Sequence, residues 1–222
     1  SDFDSFDGSN YYYMYHLPVY QEKDKQRVYE FMQQHPFATL IGVAADQQPV
    51  ATQIPVLPRE RDGKLFLTGH LMKQTDHHKA FLENSHALVL FTGPHTYVSA
   101  SWYENKQQAS TWNYMTVHAK GKLRYLPDED LPGMLDELTS YFENNPSSPS
   151  LYKDLHEDYL QRLMKAIVAF EIEVEQTNAV FKLSQNRDEK SFRHIVERLE
   201  AGDANAQSIA AEMRKIQKGL FE

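Results

Sequence analysis

Three short segments gather side chains suited to holding a flat, polar-edged ligand. They are Gly93-Pro94-His95-Thr96-Tyr97-Val98-Ser99-Ala100-Ser101-Trp102-Tyr103, Ser110-Thr111-Trp112-Asn113-Tyr114, and Phe181-Lys182-Leu183-Ser184-Gln185-Asn186. Each mixes planar rings with hydrogen-bonding groups in strand-like surroundings. A dry core has little use for Asn, Gln and Thr beside Trp, because every buried polar group needs a partner of its own. Aromatic residues in β structure are nevertheless more often core or subunit interface than ligand platform, so each segment alone favours packing. The joint occurrence of Trp112-Asn113-Tyr114 and Trp102-Tyr103 with Ser184-Gln185-Asn186 raises the binding reading above packing alone, with Thr111 and Lys182 as further candidate cofactor-binding residues.

A fourth segment, Thr68-Gly69-His70-Leu71-Met72-Lys73-Gln74-Thr75, closes a predicted strand ahead of a predicted helix. Glycine permits close backbone approach, and Lys73, Thr75 and free amides before a helix could hold a phosphate monoester. An ordinary strand-to-helix turn has the same composition. Thr52 and Gln53 interrupt an otherwise apolar run. A flavin ring would use such groups, since its pyrimidine edge alternates donors and acceptors; exposure on an edge strand accounts for them equally well.

Other chemistries find little footing. The 222 residues include no cysteine, which excludes thiolate zinc sites, disulfides and cysteine nucleophiles. Of the ten histidines, adjacent His77 and His78 would point about 100° apart on a helix and cannot easily share an ion. No metal is expected. There is no GxSxG elbow, P-loop or GxGxxG run, so hydrolase, nucleoside triphosphatase and dinucleotide-fold readings lack support. The formal charge of −8 argues against a broad phosphate-binding surface. DNA is weakly supported by Arg214, Lys215 and Lys218 near the C-terminus, where Glu197, Glu200 and Glu212 dilute the basic charge. No apolar run is long enough to span a bilayer and no signal pattern is present, which makes a cytoplasmic protein the expectation.

Secondary structure must position these groups. Asp24 precedes Val28, Phe31 and Met32 at helical spacing, and His35-Pro36 ends that helix. Two β-rich runs, 37–45 and 49–57, flank Asp46-Gln47-Gln48, and a third over 65–69 follows the turn signal Arg61-Asp62-Gly63-Lys64. A short helix over 76–82 precedes strands at 87–92, 96–99 and 114–125. Leu131, Met134, Leu135, Leu138, Tyr141 and Phe142 form an amphipathic stripe, and further helix extends to about Met164. From Ile167 to Glu175 apolar and acidic residues alternate, predicting one apolar and one wet face. Two final stripes, Phe192, Ile195, Val196, Leu199 and then Ile209, Met213, Ile216, Leu220, flank Ala201-Gly202-Asp203 as a helical hairpin. The expectation is a mainly β protein, a small antiparallel barrel with peripheral helices. Residues 1–13 read as a tag or loose extension, 14–186 as the barrel and 187–222 as the hairpin.

These same segments, together with Met14-Tyr15, Ala51-Thr52-Gln53-Ile54-Pro55, Gly69-His70-Leu71 and Val117-His118-Ala119, resemble the PaiB family of FMN-binding negative transcriptional regulators. The resemblance implies the flavin-binding split barrel shared with pyridoxamine-phosphate oxidases and flavin reductases, FMN as cofactor, and a homodimer with flavin sites at the subunit interface. It implies further that Lys73 with Thr68, Gln74 and Thr75 holds the phosphate, and that Thr52, Gln53, Trp112, Asn113, Gln185 and Asn186 meet the ring. The chain departs from the family's usual residues at Gln53, Met72, Lys73 and Ala100. A flavin-dependent oxidoreductase of the flavin-reductase type is the first expectation, and a PaiB-type regulator that uses flavin as ligand, or not at all, is the alternative.

Overall fold

The computed structural model describes residues 17–221; the tag or extension expected over 1–13 lies outside them. They form seven strands, β1 (Phe37–Val43), β2 (Pro49–Pro55), β3 (Leu57–Arg61), β4 (Lys64–Met72), β5 (His86–Val98), β6 (Thr111–Tyr125) and β7 (Ile167–Lys182). The strands share one sheet in the order β2-β1-β5-β6-β7-β4-β3. Six α-helices accompany them: α1 (Lys25–Gln34), α2 (Asp76–Glu83), α3 (Leu131–Glu143), α4 (Glu157–Ala166), α5 (Glu189–Glu200) and α6 (Ala204–Phe221). Internal contacts divide the described chain into a first unit of 17–24, 93–116 and 178–221 and a second of 25–92 and 117–177.

In the second unit, α1 buries Val28, Phe31 and Met32, each stabilising the fold by roughly 1.5–3 kcal/mol. β1 and β2 pair antiparallel with Leu40 opposite Thr52 and Thr39 opposite Gln53. β3 and β4 meet through Asp62 and Gly63, whose φ angles of 52° and 72° match the primed turn that suits the right-handed twist of a hairpin. β4 then pairs with β7, setting Gly69 opposite Phe170 and His70 opposite Ala169. α3 starts with proline in its first turn, ends on left-handed Asn144, and packs Leu131, Met134, Leu135 and Leu138 against Leu57, Ile167 and Ala169. Gly121 is required by close packing: a Cβ there would lie 2.1 Å from the carbonyl oxygen of Glu173.

In the first unit, the Asp188 side chain caps α5 by accepting from the Ser191 N–H at 2.9 Å. Phe192, Ile195, Val196 and Leu199 on α5 are all buried, as the first stripe predicts; of the second, Ile209 and Met213 are buried with Ala206 and Ala210, whereas Ile216 is half-buried and Leu220 is exposed towards the end of α6. The rings of Phe192 and Phe221 meet edge to face at 5.3 Å.

Three strand expectations need correction. The two strands predicted over 87–92 and 96–99 are one strand, β5, that runs through Gly93 and Pro94. β7 continues past Glu175 through Gln176, Thr177 and Asn178 to Lys182, because strand neighbours rather than local propensity hold polar residues in a ladder. Nor is its acidic face uniformly wet. Glu173 and Glu175 are exposed, but every residue from Ile167 to Ile172 is buried, Glu171 included.

Candidate functional site

Each unit carries its own group of the candidate residues. In the second, Thr52 is half-buried and Gln53 exposed on β2. Thr68, Gly69 and His70 lie on β4, and Lys73, Gln74 and Thr75 form the turn into α2. Gly69 is compelled by its neighbours, since a Cβ would stand 2.9 Å from both the Phe170 ring and the Pro55 carbonyl oxygen. Thr68 donates a long bond, 3.4 Å, to the Leu57 carbonyl.

The turn is tightly organised. Thr75 is the N-cap of α2: its hydroxyl accepts from the His78 N–H at 3.3 Å and donates to the Met72 carbonyl at 2.9 Å. Gln74 has a φ of 69°, and its N–H points to His78 Nδ1 at 3.4 Å. The Lys73 backbone N–H is bound to the Ala166 carbonyl, while its ammonium stands 3.4 Å from Asp128, whose side chain is 76 % exposed. Such a long, wet ion pair is weak, so Lys73 can exchange it for a better anion. His70 Nδ1 is buried and has no hydrogen-bond partner among the described residues. Burial also lowers the pKa of His70, keeping the ring neutral at pH 7. A cation and an unsatisfied imidazole nitrogen three residues apart in the chain fit a phosphorylated ligand that also presents polar ring edges.

In the first unit several candidates are already committed to the fold. Asn113 is fully buried; its amide donates to Ser184 Oγ at 3.0 Å and to Met213 Sδ at 3.6 Å, and its oxygen accepts from the same Ser184 hydroxyl at 3.1 Å. Gln185 braces its own turn, accepting from the Leu183 N–H at 2.7 Å and donating to the Phe181 carbonyl at 2.5 Å. Ser184 sits at a φ of 63°, and those bonds fix it there. Lys182 donates to Thr111 Oγ1 at 2.5 Å and lies 5.6 Å from the Tyr20 ring centroid. Trp112 is 53 % exposed, flanked by His95 and Tyr97 at centroid distances of 6.2 and 6.0 Å. Asn186 is exposed.

Sequence reasoning passed over two charged or polar constellations. In the second unit, buried Glu171 accepts from Arg61 twice at 3.2 Å and from Arg124 at 2.8 Å. In the first, Arg187 lies 4.1 Å from the ring centroid of Tyr103. No local pattern announces the former, whereas Arg187 directly follows the Ser184-Gln185-Asn186 run. On α6, Arg214 forms a two-bond pair with Glu200, at 2.9 and 3.1 Å, and Lys215 meets Glu212 at 2.5 Å. Among the described residues there is no cluster of three or more His, Asp or Glu placed to hold a metal, and no helix long and apolar enough to cross a membrane.

Comparison with known proteins identifies the family and the fold. The family model described as "Putative FMN-binding domain" matches residues 14–176. The chain is 31% identical over 209 residues to the protease synthase and sporulation protein PAI 2 of Bacillus subtilis, covering 93% of this chain and 100% of that one. Among solved structures, the FAD and heme binding protein of Mycobacterium smegmatis superposes with a TM-score of 0.55 at 20% identity, over 73% of each chain. A Bacteroides thetaiotaomicron protein described as "a putative 5-nitroimidazole antibiotic resistance protein" gives a TM-score of 0.53 at 14% identity, over 72% of this chain and 84% of that one. At such identities the likeness to the solved structures is one of fold.

Proposed function

The chain belongs to the PaiB family of FMN-binding split-barrel proteins, and from that premise we propose that it is a flavin-dependent oxidoreductase of the flavin-reductase type that works as a homodimer. The observation that carries this most directly is the turn after β4, where the weakly paired Lys73 ammonium and the unsatisfied His70 Nδ1 leave binding capacity unused.

FMN supplies hydride and single-electron chemistry when bound. The residues' part is to hold and orient it. Lys73 anchors the phosphate as a point charge, with Thr68 and the Gln74 side chain as neighbours; Thr75, whose proton goes to the Met72 carbonyl, contributes as scaffold for the turn. His70, neutral and half-buried, offers a hydrogen bond to a polar edge, and Thr52 and Gln53 present a hydroxyl and an amide from β2. On the first unit, exposed Trp112 offers a ring face and Asn186 an amide, while Asn113, Ser184 and Gln185 hold the backbone that presents them. An acid–base pair is not required, because the flavin itself exchanges the electrons.

Visible absorbance of the purified protein, with and without added FMN, tests the assignment. Saturable binding at micromolar flavin, followed by reduction of the bound flavin by a nicotinamide donor, is expected. Absence of binding would defeat the proposal, and binding without any reduction would remove the enzymatic part.

A PaiB-type negative transcriptional regulator is the second reading, favoured by membership of the family. The two-bond Arg214–Glu200 pair and the Lys215–Glu212 pair argue against α6 as its DNA contact, since both cations already face carboxylates. A gel shift with genomic fragments at low and moderate salt decides it, because a phosphate-driven contact weakens steeply with salt.

A further inference from the structure

We propose that the first unit carries an anion site for a phosphate-bearing ligand, formed by Arg187 and Tyr103. Tyr103 is 1 % exposed, and its hydroxyl is buried without a hydrogen-bond partner among the described residues. Such a group costs free energy unless a ligand or water completes it. The Arg187 guanidinium lies over the face of that ring, 4.1 Å from its centroid. One of its nitrogens donates to Gln108 Oε1.

Charge around this cluster is lopsided. Arg59, Arg61, Arg124, Arg193 and Arg214 each meet a carboxylate, whereas half-buried Arg187 forms no ion pair among the described residues. The nearby acids are engaged elsewhere: Asp188 accepts from the Ser191 N–H at 2.9 Å and Glu104 from Lys190 at 2.8 Å. The pKa of Lys182 is lowered, first by burial and then by the positive charge of Arg187, so the two cations feel one another. Burial raises the pKa of Tyr103, which keeps its phenol protonated and able to donate. A guanidinium fork and a phenolic donor on one unit suit the tetrahedral oxygens of phosphate, which a planar fork binds in two places.

The proposal does not depend on the flavin assignment, and its test separates the two. Calorimetric titration of the full chain with inorganic phosphate, at constant ionic strength in chloride, should give saturable binding. Arg187→Lys keeps the charge but loses the fork, and should weaken binding by about tenfold. Tyr103→Phe removes one oxygen that lacks a protein partner, so it should fold normally and weaken binding by about fivefold. Comparison with Lys73→Ala locates the anion. Loss of phosphate binding in that variant alone, no binding by the wild type, or wild-type titrations from both Arg187→Lys and Tyr103→Phe would each overturn the proposal. With the site established, FMN and riboflavin identify the source of the phosphate. Blocking by FMN but not by riboflavin assigns it to the flavin, and undiminished binding to FMN-loaded protein assigns it to a second ligand.

Discussion

Asn113 and Ser184 bond to each other in both directions, amide to hydroxyl at 3.0 Å and hydroxyl to amide oxygen at 3.1 Å. The pair ties the start of β6 to the left-handed residue that follows β7, and through Met213 to α6. Both side chains are buried, so each is the other's replacement for water. Asn113→Ala should cost about 1–3 kcal/mol by stranding the serine hydroxyl. A double-mutant cycle with Ser184→Ala, read by urea unfolding, should show coupling of about 1 kcal/mol. Simple additivity of the two losses would mean that the bonds are not worth holding.

Lys73 and Asp128 offer a direct handle on flavin affinity. Lys73→Ala should weaken FMN binding at least about tenfold by removing the charge opposite the phosphate. Asp128→Asn abolishes the competing carboxylate at 3.4 Å and should tighten binding roughly two- to threefold, in keeping with a weak exposed pair. Fluorescence quenching of FMN on titration reads both. Equal affinities for the two variants would place the phosphate elsewhere.

His70 makes stability depend on pH. Burial lowers its folded pKa below the ordinary 6.5, so the unfolded chain takes up the proton first as the solution is acidified. The associated stability is complete above pH 6.5 and is lost progressively as pH falls towards the folded value. His78 and His118 are lowered by burial too and add to the same slope. The midpoint of thermal unfolding should therefore drop between pH 7.5 and pH 5.5, on the order of a few degrees, and His70→Leu should flatten the decline. An unchanged slope in that variant would show that His70 protonates freely in the folded protein.

Glu171 acts at lower pH. Its burial by itself raises the carboxyl pKa, but hydrogen bonds and charge from Arg61 and Arg124 prevail and hold it below 4.5. Its contribution is complete above pH 4.5 and disappears as acid titrates the carboxylate through its folded value. Glu171→Gln should destabilise the protein by about 1–3 kcal/mol at pH 7, and the gap to wild type should be smaller at pH 3. Urea unfolding at both pH values measures it; a gap undiminished in acid would assign the loss to packing instead of charge.

Short-range chemistry was legible in the chain itself. The Asp62-Gly63 turn, the stripes of α1 and α5, those of α3 as far as Leu138 and of α6 as far as Met213, and the end of α1 before Pro36 all follow from backbone preference and periodicity over a few residues, whereas Tyr141, Phe142 and Leu220 continue the pattern but are exposed. The residue combinations that resemble the FMN-binding family were equally visible, and with them the split-barrel fold. What the sequence could not decide is which polar side chain faces a partner and which faces a ligand. Asn113, Ser184 and Gln185 look alike on paper to Asn186, yet three are satisfied inside the fold and one is exposed. Glu171 alternates in step with Glu173 and Glu175, yet only Glu171 is buried between two arginines. Arg187 meets Tyr103 across a long stretch of intervening chain. Hydrogen bonding and desolvation depend on which strand or helix lies alongside, and that neighbour is chosen by packing of the whole chain, not by the residues next in line.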